Sequence, residues 1–378
     1  MNVGGAMRIE TAALTGASAG TRREVTLYRY GTCGAGRKVY LQAGLHADEM
    51  PGVLVLQHLM TLLDEAEARG QIAGEVLVVP AANPIGLSQW AFQRPLGRHE
   101  ADSLHNFNRG YPELARLVGD RLEGVLTPSG EENLHLIRAA FRAALAEERP
   151  RDDRGEQMTV LMNWSCDADY VLDLHCDHFA VLHLYASSGR PQDTDLLCRA
   201  IGAKLALIED LSGGHAFDEA HTVPWALLRA RYGAHFPIPA GCFSTTLEYR
   251  GQFDVDDGLA KADAVNLMNF LAAIGVVTGR DNVPAHPQAM VRPLAGAAKI
   301  FAPQGGVVTW DVPVGTEVQA GQVLGHVTDP VSRRRLPVVS PVAGLLFRCE
   351  LWRSCLRGQS LAHVAGETIV RTGDLLSD

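Results

Sequence analysis

Lysine is scarce in this chain: of 34 basic residues only Lys38, Lys204, Lys261 and Lys299 are lysine. Positive charge is therefore carried almost wholly by arginine, whose planar fork suits fixed capture of carboxylates better than a diffuse cationic surface. The net charge is −9 and no basic stripe with interleaved aromatics occurs, which argues against a nucleic-acid partner. The seven cysteines are scattered, odd in number and without C-x-x-C spacing. That argues against both a disulfide framework and a cysteine zinc site, and it fits a reducing cytoplasm. No apolar run reaches the ~18 to 20 residues of a membrane span, and the first 25 residues lack the apolar core of a signal peptide. Neither membrane insertion nor secretion is expected, and self-association into a homo-oligomer is left open.

What is present is a chain of 378 residues, 47% hydrophobic, enough for one large domain and a smaller one. Strand-like runs at Glu24 to Tyr30, Lys38 to Ala43, Glu75 to Val79, Tyr170 to Leu174, Ala180 to Tyr185 and Ser244 to Tyr249 alternate with helix-like stretches. The helices are expected at about 52–68, 130–148, 192–205 and 257–274. This alternation predicts an α/β layered sandwich with functional residues in loops at strand ends. In the first helix Val53, Leu56, Leu59, Met60 and Leu63 recur at helical steps before Gly70. Around Asn282 to Pro293 the helical pattern stops in a proline-containing stretch and short β runs follow. The expected division is a domain of residues 1–287 and a C-terminal all-β domain of residues 288–378. The latter carries two similar half-motifs, Pro303-Gln304-Gly305-Gly306-Val307 and Pro341-Val342-Ala343-Gly344-Leu345, and looks like the barrel-sandwich fold of lipoyl and biotinyl carrier domains. Carriers attach their cofactor to a hairpin lysine, and no lysine follows Lys299, so the expected role is structural or gating, without modification and without chemistry. His326 and His363 read most simply as structural or solvated.

Chemistry concentrates elsewhere. The segment GLHADEMPG sets His46 and Glu49 three residues apart behind a strand-like run, and Asp173-Leu174-His175 ends another. A short H-x-x-E pair with a remote histidine is the ligand layout of a zinc hydrolase, with a fourth position open for water. An isolated H-x-x-E is more often a polar turn with a helix-capping acid. A lone histidine in a strand is more often a satisfied core residue. Asp173 and His175 together in an apolar run are harder to explain blandly, because burying two ionisable groups costs several kcal/mol unless they pair or bind a metal. His178 and His183 are the competing third ligands. Glu248, in Thr246-Leu247-Glu248-Tyr249-Arg250, is the candidate proton carrier, against the alternative of a surface glutamate paired with Arg250. From Asn83 to Pro112 runs a long segment with little period, carrying Arg94, Arg98, Asn108 and Arg109; a loop of this length is usually functional. Asn108 beside Arg109 can fork a carboxylate and a second arginine can support an oxyanion, while Arg94 reads as a solvated loop residue.

Together these residues resemble the zinc carboxypeptidase superfamily and, within it, the succinylglutamate desuccinylase and aspartoacylase family. His46 and Glu49 match its H-x-x-E pair, Asp173 to His175 its D-L-H, Thr246 through Arg250 its T-x-E-x-R strand, and Asn83 through Gly86 its N-P-x-G segment. Arg98 falls on the family arginine eleven residues before the end of D-L-N-R. That last motif reads Asn106-Phe107-Asn108-Arg109 here, an amide replacing the acid. The resemblance implies a zinc-carboxypeptidase-like α/β/α sandwich with a mixed sheet and one Zn2+ per chain on His46, Glu49 and His175. It also implies catalysis by Glu248 and Arg98, with Asn108 and Arg109 on the substrate carboxylate. The expected activity is removal of a small acyl group from an N-acyl amino acid or similar small amide. A metallocarboxypeptidase acting on peptides and a non-catalytic metal- or metabolite-binding protein are the rivals, and two histidines with one carboxylate also accept cobalt, manganese or iron.

Overall fold

The structure, a computed structural model, describes residues 7–16, 18–280, 286–373 and 375. Its centre is a nine-stranded mixed sheet whose strands, numbered along the chain, are β1 (Arg8–Leu14), β2 (Arg23–Gly31), β3 (Lys38–Ala43), β4 (Glu75–Val79) and β5 (Tyr170–Asp177), then β6 (His183–Ala186), β7 (Leu205–Ile208), β8 (Phe243–Gly251) and β9 (Met290–Pro293). Their spatial order is β1-β2-β4-β3-β5-β8-β6-β7-β9. The middle of the sheet, β4-β3-β5-β8, is parallel. Of these, β3, β4 and the first half of β5 read as near-continuous apolar runs because helices cover both faces, while β8 is buried but rich in serine and threonine. The outer pairs β1-β2, β2-β4 and β8-β6 are antiparallel.

On one face lie α1 (Met50–Ala68), α4 (Pro191–Ile201) and α6 (Asp257–Ala273), packed through Leu56, Leu59, Leu63, Leu197 and Leu267. On the other lie α2 (Gly130–Glu147), α3 (Asp153–Ser165) and α5 (Glu219–Tyr232), packed through Ile137, Phe141, Leu161 and Leu228. The expected three-layer α/β/α sandwich is what the chain builds. Four expected helices appear within a few residues of their sequence positions; the one placed at 192–205 ends at Ile201, where Gly202 at φ +77° turns the chain into β7. The helices α3 and α5 and the edge strand β1 are additional. Among the described residues no helix is long and apolar enough to cross a membrane.

After β9 the chain is strand-rich. One sheet orders Ala297–Phe301, Ser360–Ala365, Gly344–Cys349 and Glu317–Val318; a second orders Arg335–Val339, Val323–Thr328, Gly306–Trp310 and Ser354–Cys355. They enclose a core of Ile300, Val308, Leu324, Val327, Leu346 and Val364. This region is fastened to the sandwich in two ways. Phe179–Ala180, just past β5, pairs with Gly344–Cys349. Leu205 and Leu207 of β7 share an apolar cluster with Leu294, Leu345 and Phe347.

Candidate active site

The parallel strands β3 and β5 are neighbours, and His46 and Glu49 follow the end of one while His175 lies near the end of the other. Gly44, at φ +70°, turns the chain out of β3, and Glu49 stands at the N-cap of α1 with Pro51 in the first turn. The loop holding His46 is clamped from behind. Asn83 donates to the Leu45 carbonyl and accepts from Gly86 N–H, both at 2.8 Å, so the Asn83-to-Gly86 segment braces the ligand loop.

His46, Glu49 and His175 are all buried, and one donor atom from each lies within 4.8 Å of the others. Glu49 Oε1 is 3.0 Å from His46 Nδ1, and Glu49 Oε2 is 2.8 Å from His175 Nδ1. The same edge of each imidazole thus faces a shared point. The far nitrogens are held by the protein: His46 Nε2 lies 2.9 Å from Asn106 Oδ1, and His175 Nε2 lies 2.9 Å from Asp173 Oδ2. Protonated at Nε2, both rings present the Nδ1 lone pair, the arrangement a divalent metal needs. Asp173 is fixed in turn, since Gln42 donates to its other oxygen at 3.0 Å and Tyr40 donates to Gln42. These three donors fit a zinc ion with one position left for water.

The electrostatics follow from burial. Desolvation and the neighbouring Arg98 charge push His46 down to about 4. At His175 desolvation works the same way, but Asp173 and Glu49 outweigh it and hold its pKa well above the ordinary value. The two histidines together hold the Glu49 carboxyl well below the usual range in spite of its burial.

Glu248 pairs in register with His175 across β5 and β8. It is not partnered by Arg250, which turns away at φ +63° to bind Asp263. Burial, with the carboxylates of Asp177 and Glu49 nearby, raises the Glu248 pKa well above the ordinary value. Its Oε2 is buried without a hydrogen-bond partner. Arg98 Nη1 lies 3.2 Å from both Glu49 Oε1 and His46 Nδ1. Gly97 allows this approach: a Cβ there would collide with the backbone of Ala47 and Asp48. Asn108 is buried and accepts from Phe217 N–H at 2.8 Å, and Arg109 packs along Gly214, donating to the Asn108 carbonyl. Glu248, Arg98, Asn108 and Arg109 line one cavity of about 260 Å³ with His46, Glu49 and His175.

The competing histidines are not part of the ligand cluster, although His178 lines the cavity. His178 Nδ1 faces Glu350 at 2.8 Å, and His183 Nδ1 is 2.8 Å from the Val181 carbonyl. Arg94 does not merely solvate the loop: its guanidinium lies over the Trp352 ring, 4.2 Å from the centroid, and ties the loop to the C-terminal region. From that region Arg348 reaches into the cavity, 3.2 Å from Asp177 and 3.2 Å from Glu350. The signal for Arg348 was in the sequence, a charge inside the apolar run Leu345-Leu346-Phe347-Arg348-Cys349, the same kind that singled out Asp173. Asp177, Tyr185, Asp218 and Glu219 also line the cavity and belong to no motif read from the sequence.

Residues 35–222 match the family model described as the succinylglutamate desuccinylase/aspartoacylase catalytic domain. Comparison with curated protein sequences returns no match. Among solved structures, a succinylglutamate desuccinylase/aspartoacylase family protein from Shewanella amazonensis is 25% identical, covering 95% of this chain and 98% of its own, with a TM-score of 0.81. A second from Shewanella frigidimarina is 23% identical, with coverage of 96% and 97% and a TM-score of 0.81. The product-bound ectoine utilization protein of Ruegeria pomeroyi is 16% identical, covers 95% of each chain and has a TM-score of 0.65, a likeness of fold. With its catalytic-domain match and its mixed sheet bearing a His-Glu-His cluster, this chain belongs to the succinylglutamate desuccinylase/aspartoacylase family, a family of hydrolytic deacylases with a zinc-carboxypeptidase-like fold.

Proposed function

We propose that the protein is a zinc-dependent amidohydrolase that removes a small acyl group, such as acetyl or succinyl, from an N-acyl amino acid or related small amide. The observation that carries this reading is the buried His46-Glu49-His175 triad with Glu248 beside it in one cavity. Zinc on that triad would lower the pKa of water and polarise an amide carbonyl. The remaining work falls to the chain. Glu248 takes a proton from the attacking water and delivers it to the leaving nitrogen; the water oxygen bonds to the acyl carbon, the C–N bond breaks, and a carboxylate and an amine depart. The unpartnered Oε2 of Glu248 is available for that transfer. Arg98, beside the metal ligands, supports the negative charge that develops on the carbonyl oxygen. Arg109, backed by Asn108, holds the substrate carboxylate.

Leu294 and Arg348 bring the C-terminal region to the cavity wall, and a wall on that side favours small amides over peptides, the point on which a carboxypeptidase reading would differ. We further propose that residues 288–378 act as a separate unmodified β domain, that Lys299 carries no cofactor, and that the protein works in the cytoplasm. Metal content measured together with a deacylation screen over acetyl, succinyl and formyl amino acids, with peptides alongside, tests the assignment. The expected result is about one zinc per chain and hydrolysis of at least one N-acyl amino acid in preference to peptides. Faster peptide cleavage would favour the carboxypeptidase, and a metal-bound protein inert toward every amide would favour a binding protein.

A further inference from the structure

The cavity continues past the metal ligands, and its far wall is acidic. Ser244, Thr246 and Glu248 alternate along β8 and all line it, so it runs back along this strand for roughly 13 Å from Glu248 at ~3.3 Å per residue. Along that path it meets Glu209, which follows β7, and Asp218 and Glu219 at the start of α5. Besides Glu49, five carboxylates line the cavity: Asp177, Glu209, Asp218, Glu219 and Glu248. Three guanidinium groups do so. Of these Arg98 lies on Glu49, and Arg348 lies between Asp177 and Glu350. Among the described residues no ion pair involves Glu209, Asp218 or Glu219.

Two acids at a helix start are ordinarily caps, and capping accounts for part of this cluster: Asp218 Oδ1 accepts from Glu219 N–H at 3.0 Å. It does not account for the rest. Glu219 is 8% exposed; its Oε1 accepts from the backbone and hydroxyl of Ser212, while its Oε2 is buried with no partner. Glu209 comes from a different element and converges on the same wall. Burial and the adjacent Glu219 raise the Asp218 carboxyl to about 6, against the hydrogen bonds that Glu219 N–H and Thr246 give it. A buried carboxylate oxygen without a partner is costly, and a charged donor brought by a ligand would relieve it.

Arg109 reaches this part of the cavity beside Gly214, in the loop that leads to Asp218. We infer that the amino acid released by this enzyme carries a cationic side chain: its carboxylate rests on Arg109 and its side-chain ammonium or guanidinium sits between Asp218 and Glu219, with Glu209 at the rim. The substrate class is then an Nα-acylated diamino acid or arginine-like amino acid. An acidic side chain would meet like charge in the same place. This inference rests on the deacylase reading above.

The test compares kcat/KM of the zinc-loaded enzyme on the Nα-acetyl, formyl and succinyl forms of lysine, ornithine, norleucine and glutamate. Norleucine matches lysine in length without the charge. The expected result is a preference of at least tenfold for lysine or ornithine over norleucine and a larger one over glutamate. Glu219→Gln, which keeps the Oε1 acceptor for Ser212, should shrink the lysine-to-norleucine ratio about tenfold, with circular dichroism and metal content checking that the variant folds. Hydrolysis with norleucine or glutamate preferred would overturn the inference and leave the deacylase reading standing. If no amide is hydrolysed, the deacylase reading fails, and calorimetric titration with free lysine against free norleucine decides the charge of the pocket: equal binding of the two overturns the inference.

Discussion

Asn106 is the residue where this chain departs from the pattern it resembles, and the geometry shows what the departure changes. Its Oδ1 accepts from His46 Nε2 at 2.9 Å, as a carboxylate would, and also from Asn108 N–H at 2.8 Å. Orientation of the imidazole is kept and one negative charge behind it is given up, whereas His175 retains a full carboxylate in Asp173. The two ligand histidines are thus unequally backed. Replacing Asn106 with leucine should remove the anchor and weaken zinc binding ~10- to 100-fold. Competition against a chromogenic chelator measures this; unchanged affinity would mean that Asn106 does not orient His46.

At the scale of elements, the distance between α1 and β5 sets the site, because Glu49 heads one and His175 sits on the other. Gly52 makes the close approach possible: a Cβ there would stand 2.8 Å from Leu174 Cβ and 2.9 Å from its carbonyl oxygen. Gly52→Val should push α1 off the sheet, cost ~1 to 3 kcal/mol by overpacking, and weaken metal binding with it. Denaturant unfolding and zinc titration on one preparation check both effects, and a variant of wild-type stability would refute the packing argument. Elements that were legible in the sequence are those whose surroundings are simple. β3 and β4, buried on both faces, span the residues expected. The helix α5 was missed because Pro224 interrupts its pattern and its buried side includes His221 and Glu219; α3 likewise buries Gln157 and Ser165. Polar groups facing inward erase the apolar period by which a helix is recognised. The ligand triad was legible because His46 with Glu49, and Asp173 with His175, are each local pairs of ionisable residues beside an apolar run, although the two pairs lie far apart in the chain. Asp218 and Glu219 were not, and Arg348 stood out only as a charge in an apolar run, since only the tertiary fold brings α5 and the C-terminal strands to the same cavity.

At the scale of the whole molecule, both regions contribute to the cavity wall. Arg348 crosses from the C-terminal strands to Asp177, the last residue of the ligand strand, and Glu350 beside it also faces His178. Arg348→Met should leave Asp177 buried without its cation. The expected cost is roughly 3 kcal/mol, the low end for breaking a buried pair, because the guanidinium keeps 19% of its surface exposed. Loss of activity should accompany it, since Asp177 lies close to Glu248. Thermal melts and steady-state kinetics measure the two; a variant with unchanged melting and turnover would reduce Arg348 to a bystander at the domain contact.

The central claim is that a metal held by His46, Glu49 and His175 works with Glu248 to hydrolyse an amide. Its most direct test is Glu248→Gln, assayed for zinc content and for turnover of the best N-acyl amino acid on the same sample. The amide side chain is nearly isosteric and cannot accept the proton, so zinc should stay at about one per chain while turnover falls by ~10² to 10⁴ or more. Turnover within about threefold of wild type, with zinc retained, would contradict the account.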